Sequence, residues 1–164
     1  MAPSFRPRCE RVDGAVQFHG VVTDEDGVPV SGALVETWHA AGDHRATEGG
    51  LPRCDEPTST HRNNAITDRQ GRYNVRFVPP RALEYGAAPF IAVSISVRGG
   101  PSRLITRAYL PGCHLAKDVL LGRLPAERRQ ALIAVRDDAG FRFDITLSPV
   151  NGVVAGTSGS KWAP

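Results

Sequence analysis

Two stretches of this chain alternate apolar and polar residues with a period of two, the signature of half-buried strands. Tyr73, Val75 and Phe77 stand on one face of the first, and Ile91, Val93, Ile95 and Val97 alternate with Ala92, Ser94 and Ser96 in the second. Leu104 to Leu110 follows the second stretch as its expected partner. Earlier, residues 15–22 mix β-branched and aromatic side chains before the turn residues Asp24-Glu25-Asp26-Gly27 and the short run Val28-Pro29-Val30, and Ala33 to Trp38 reads as another strand. Strand, Asp-Gly turn and strand predict an antiparallel unit in which Gly27 takes a positive φ. Between His39 and Asn64 the periodicity is lost to Gly, Pro, Thr, Asp and His, which predicts a long surface excursion. Ala65-Ile66-Thr67 leads into the turn Asp68-Arg69-Gln70-Gly71, and Phe141 to Leu147 is the last expected strand. Pro125, Glu127 and the spacing of Ala131, Leu132 and Val135 predict one short helix over about residues 125–133.

Short strands separated by turns, without strand-helix alternation, predict an all-β fold, an antiparallel β-sandwich with one short helix. Its expected extent is residues 15–150. Residues 1–14, punctuated by Pro3 and Pro7, read as an N-terminal arm, and the Gly- and Ser-rich residues 151–164 as a flexible C-terminal tail.

Composition adds mostly exclusions. The 164 residues suit one ordinary core, and 17 glycines with 13 prolines suit many turns. Twenty basic against 17 acidic side chains leave a small positive excess, scattered through Arg6, Arg53, Arg76, Arg107 and Arg129, so no nucleic-acid stripe is implied. No apolar run reaches a membrane span and no leader pattern opens the chain, so the expected setting is cytoplasmic, without a membrane. Cys9, Cys54 and Cys113 are odd in number and lack CxxC spacing, which suits reduced thiols rather than a disulfide framework or a zinc site. Five histidines, His19, His39, His44, His61 and His114, show neither HxH nor HxxxH spacing, and no Gly-x-Ser-x-Gly elbow supports a Ser-His-Asp nucleophile.

From Gly20 the pattern Gly-x-Val-x-Asp-x-x-Gly-x-Pro-Val-x-x-Ala-x-Val-Glu-x-Trp runs to Trp38. The segments Thr67 to Tyr73, Ala88 to Ile91 with Val97-Arg98-Gly99, Leu104 to Leu110, and Arg128 to Ala134 followed by Phe141 to Ile145 come after it in order. Together, over roughly residues 15–150, they resemble the intradiol ring-cleavage dioxygenases, and within them the α-type subunits of the protocatechuate 3,4-dioxygenases. The resemblance implies a β-sandwich and, in catalytic members, a ferric ion held by two tyrosines and two histidines. The histidines belong to a Pro-Ala-His-Ile-His motif, where this chain has Phe90 and Ala92. The first tyrosine position falls at Gly42-Asp43-His44 and the second near Pro80 to Ala82, and neither holds a tyrosine. Carbon side chains offer a hard ion no lone pair. This chain is therefore expected to have no catalytic or metal-binding residue and no cofactor of its own. As the resemblance implies, ferric iron belongs to a catalytic β subunit, for which the chain is a structural and pocket-shaping partner in the opening of a small aromatic acid.

Arg98 corresponds to an arginine that the resemblance places near the active-site entrance, where a guanidinium would grip a substrate carboxylate. Its plain reading is a strand-end arginine in water or in an ion pair between subunits. The short N-terminus departs from the α type, lacking the Thr-x-x-Gly-Pro-Tyr stretch that helps to wall the partner's pocket. Trp38 and Tyr73 read as core or interface residues. A different class of function, a stand-alone β-sandwich binding or interaction module, fits the same residues; a partner bearing the iron ligands would separate the two.

Overall fold

The computed structural model describes residues 14–40, 60–80, 88–99, 103–112, 114–148 and 152–155. In chain order the strands are β1 (Val16–Asp24), β2 (Leu34–Ala40), β3 (Thr60–Ile66), β4 (Arg72–Phe77), β5 (Phe90–Ser96) and β6 (Leu104–Tyr109). After the helices α1 (Val119–Arg123) and α2 (Ala126–Ala131) come β7 (Val135–Arg136), β8 (Gly140–Arg142), β9 (Ile145–Ser148) and β10 (Gly152–Ala155). They form a six-stranded sheet built around β1 and a four-stranded sheet in the order β3-β2-β5-β6. One core lies between the sheets, with Phe18, Val22 and Phe143 from the first and Val35, Ile91, Val93 and Ile95 from the second.

The expected sandwich is present, and Ile91 to Val97 does pair antiparallel with the Leu104 stretch, Phe90 opposite Tyr109 and Ile95 opposite Leu104. The first hairpin differs from expectation. Gly27 has φ +78° and the turn folds back as expected, but its returning arm is only Val28–Val30, where Val30 N–H donates to the Val22 carbonyl at 2.9 Å. Ala33 to Trp38 crosses to the other sheet. Thr67 steers that crossing: its hydroxyl accepts from Ala33 N–H at 2.9 Å and donates to the Val30 carbonyl at 2.7 Å.

The last expected strand is two. β8 and β9 both pair in parallel with β1, and Phe143-Asp144 interrupts them. Asp144 explains the break, because its carboxylate accepts the Val21 N–H at 3.0 Å where a ladder carbonyl would stand. Phe141, Phe143 and Ile145 all remain buried across the interruption, so the alternation conceals it. Strands joined by a tight turn must be antiparallel; β1 and β8 lie at opposite ends of the chain and are free of that constraint.

Three further boundaries move. The excursion expected over His39 to Asn64 narrows, since β2 runs to Ala40 and β3 starts at Thr60; residues 41–59 lie outside the described residues. The flexible tail expected from residue 151 does not begin there, because Gly152–Ala155 pairs antiparallel with β9. Residues 1–13 of the expected arm and 156–164 of the tail lie outside the described residues. The single expected helix is α2, and α1 precedes it. Asp118 makes α1 possible: this buried carboxylate caps the helix through Leu121 N–H at 2.9 Å and accepts Ala88 N–H at 2.8 Å. Arg129 of α2 then donates to the carbonyls of Leu121 and Leu124 at the end of α1.

A surface link ties β1 to the β7–β8 turn. His19 Nε2 lies 2.8 Å from Asp137 Oδ2, and Asp137 Oδ1 accepts the N–H groups of Ala139 and Gly140, both at 3.0 Å. Partial burial raises the Asp137 carboxyl, but the Gly140 N–H, the neighbouring His19 and the Ala139 N–H outweigh it, leaving it below the ordinary 3.8. A depressed folded value means that the unfolded chain takes up the proton first. The stability this carboxylate adds is therefore full above its ordinary value and is lost as pH falls through the lower folded one. Asp137→Asn should accordingly lose less of its urea midpoint than the wild type between about pH 5 and pH 2.5; parallel losses would show that the carboxylate does not hold the turn.

Candidate functional site

Every second residue of β5 faces the core, so the residues between them define the outer face of the four-stranded sheet. Ile91, Val93 and Ile95 point inward. Phe90, Ala92 and Ser94 point out, and the register sets Tyr109, Arg107 and Ile105 of β6 beside them, with Trp38 and Glu36 of β2 on the other side of Ala92 and Ser94. Thus the two residues expected in place of the family's imidazoles lie on one outer face, next to Trp38 and Arg107.

One end of this face is covered. Tyr109, Ala88 and Leu121 are buried together, with Phe90, Leu115, Leu124, Leu132 and Ile133 packed against them, so the helical segment forms a second small core. Phe90 and Tyr109 lie 5.6 Å apart between ring centroids. The Tyr109 side chain is 1 % exposed, and among the described residues its hydroxyl has no hydrogen-bond partner.

The middle of the face is held by charge. The Arg107 guanidinium carbon stands 4.5 Å from the centre of the Phe90 ring. Arg103 lies over Trp38 at 5.5 Å and pairs with Glu36 at 3.0 Å, while its Nε donates to the Ser94 hydroxyl at 3.0 Å. Glu36 and Ser94 also approach at 3.2 Å. Arg103 thus has a carboxylate partner. Arg107 and, one strand beyond Trp38, Arg62 have none among the described residues, and both are exposed. A cation over an aromatic ring at an exposed site contributes about 0.5–1 kcal/mol, so Arg107 is oriented by Phe90 without being neutralised.

Residues 10–149 match the family model described as dioxygenase. The protocatechuate 3,4-dioxygenase α chain of Burkholderia cepacia is 33 % identical over 78 % of this chain and 69 % of its own length, and the β chain of that enzyme is 32 % identical over 78 % of this chain and 62 % of its own. Among solved structures, an intradiol ring-cleavage dioxygenase from Tetranychus urticae matches with a TM-score of 0.62 at 13 % identity, covering 85 % of this chain and 82 % of that one, a likeness of fold. The chain belongs to the intradiol ring-cleavage dioxygenase family.

Among the described residues no ligand set for the ferric ion of the intradiol dioxygenases comes together. Phe90 and Ala92 carry no donor atom, and a guanidinium lies beside them. No three His, Cys, Asp or Glu side chains come together among the described residues. His39 packs edge-on against Phe77 in the core at 5.7 Å, and His19 is committed to Asp137. His44, Cys9, Cys54 and Cys113 lie outside the described residues, as do positions 81–87 after Pro80, which include part of the second tyrosine region.

Arg98 is not brought to this face. It is exposed in the turn closed by Gly99, φ +74°, beyond the far end of a strand that carries it roughly 20 Å or more from Phe90. Trp38 lies on the outer face and Tyr73 in the core, where its hydroxyl donates to the Phe143 carbonyl. Burial, then the Asp144 charge, push the Tyr73 phenol well above its ordinary 10.0, so it stays a neutral donor. Nothing in the sequence groups Arg103, Arg107, Glu36 and Ser94. Their only signal is register, since Arg107 meets Ala92 only when the β5–β6 pairing is known.

Proposed function

We propose that this chain is an α-type, iron-free subunit of an intradiol dioxygenase that opens protocatechuate or a related catecholic acid, assembled with a catalytic β-type subunit that holds the ferric iron. Nearly equal identity to an α and a β chain does not separate the two roles. The observation that carries the reading is that Phe90 and Ala92, which the resemblance sets at the family's histidine positions, bring no donor atom, with Arg107 lying over Phe90. Redox chemistry at the metal then belongs to the partner, and this chain contributes surface and shape. The cytoplasm is the compartment that suits such an assembly; no helix among the described residues is long and apolar enough to cross a membrane.

Co-expression with an iron-ligand-bearing partner of the same family tests the reading. A complex larger than either chain, active where this chain alone is not, is the expected result. A lone monomer that ignores every such partner would favour the stand-alone interaction module instead. Binding to the native state alone also raises thermal stability by mass action, so the melting temperature of this chain should rise at saturating partner.

Arg98 keeps a proposed part in substrate recognition, at the partner's site and away from the Phe90 face. In the assembled enzyme, Arg98→Ala should raise KM for protocatechuate about tenfold or more if assembly desolvates the guanidinium, and should leave KM for catechol, which has no carboxylate, nearly unchanged. Equal effects on both substrates would assign Arg98 to assembly, and no effect would leave it a solvated surface arginine.

A further inference from the structure

The outer face of the four-stranded sheet joins apolar surface to cations that have no carboxylate partner among the described residues. Ile105 is 64 % exposed beside Arg107 on β6, and Trp38 is half-buried between Arg62 of β3 and Ala92 of β5. The helical segment packs on the Phe90 and Tyr109 end of the face, and beyond it Arg62, Ile105 and Arg107 are exposed while Ala92 and Ser94 at the floor are buried. Glu36 is spent on Arg103, so among the described residues the exposed part carries net positive charge from Arg62 and Arg107.

We propose that this open face is the surface on which the catalytic dioxygenase subunit docks, presenting carboxylates to Arg62 and Arg107 around an apolar contact on Trp38 and Ile105. The inference rests on the subunit reading above and adds the face and the chemistry of the partner. Charge decides the occupant. A second copy of this chain docked about a two-fold axis would bring the same cations together, and like charges set across an interface are a penalty, whereas a carboxylate-bearing surface neutralises them. The aromatic-plus-arginine composition is that of energetically dominant interface positions. Arg107 suits the role because the ring of Phe90 pre-orients its guanidinium without using its N–H groups, which remain for a bidentate carboxylate.

The experiment measures affinity for the co-purified β-type subunit in four forms of the full chain: wild type, Arg62→Glu with Arg107→Glu, Trp38→Ala, and Arg76→Glu, a charge reversal on β4 of the opposite sheet. The double reversal and Trp38→Ala should bind about tenfold or more weakly, with salt slowing association of the wild type but no longer slowing that of the double reversal, whose glutamates face carboxylates, while Arg76→Glu binds as the wild type does. Circular dichroism and melting of each free chain separate lost binding from lost folding. Should Trp38→Ala fail to fold, the double reversal, whose side chains are solvent-exposed, still decides. Unchanged affinity in the double reversal would overturn the face and leave the subunit reading intact. Failure of the wild type to bind any β-type subunit would overturn both. Self-association of the chain alone that the same reversals abolish would assign the face to a second copy and likewise overturn the proposal.

Discussion

Purified without a partner, the chain should be colourless, free of stoichiometric iron, and unable to open a catechol ring. The reason is chemical before it is geometric. The colour of an iron centre of this family comes from charge transfer between tyrosinate and ferric ion, and the ion needs donor atoms to be held at all. Phe90 and Ala92 offer none. Arg107, lying over Phe90, adds repulsion toward any cation placed beside it. That second effect is the weaker argument, because an exposed arginine can swing away, whereas missing lone pairs are not restored by any rotamer. Arg107→Ala alone should therefore remain iron-free. Elemental analysis and a visible spectrum are the measurements, and one iron per chain with a visible absorption band would overturn both the expectation and the functional reading built on it.

Gly20→Ala should destabilise the fold more than the charge reversals on the exposed sheet faces do. Gly20 sits on the inward side of β1 between Phe18 and Val22, in the row that builds the core. A Cβ there would lie 2.0 Å from the Phe143 carbonyl oxygen and 2.7 Å from its carbon, with the Tyr73 ring at 3.1 Å. The neighbour is backbone, held by the Phe143 N–H bond to the His19 carbonyl at 2.8 Å and by the Tyr73 hydroxyl, which donates to the crowded Phe143 carbonyl itself. Neither can yield alone. Relief requires moving the jog between β8 and β9, which would break a buried hydrogen bond as well as packing, so a loss of about 3 kcal/mol or more is expected. Urea denaturation of the two proteins measures it. A difference of less than about 1 kcal/mol would mean that the jog is soft and that Phe143 is not locked by its neighbours.

Much of the sandwich was legible because period-two alternation reports local burial. β4 and β5 are read from Tyr73, Val75 and Phe77 and from Ile91, Val93 and Ile95, and these residues are core. Turns were legible for a similar reason. Asp24 and Asp68 each use one carboxylate oxygen to accept two N–H groups of their own turns, so the signal and the structure lie within a few residues. What alternation does not encode is the identity of the neighbour. It gave no warning that Ala33 to Trp38 would leave the first sheet, that β8 would run parallel to β1, or that the Gly152 segment would extend the sheet.

By itself the sequence determined the fold class, the turns and the donor-free side chains at positions 90 and 92, since each follows from residues close together in the chain or from the side chain at a single position. Only the tertiary structure decided what surrounds Phe90 and Ala92. Arg107 comes from a strand whose offset depends on the β5–β6 register, Trp38 and Glu36 come from β2, and the cover over Tyr109 comes from the segment around α1, the helix that Asp118 caps. Such contacts join residues far apart in sequence through backbone pairing. A one-residue slip in that pairing would turn the same side chains to the opposite face of the sheet.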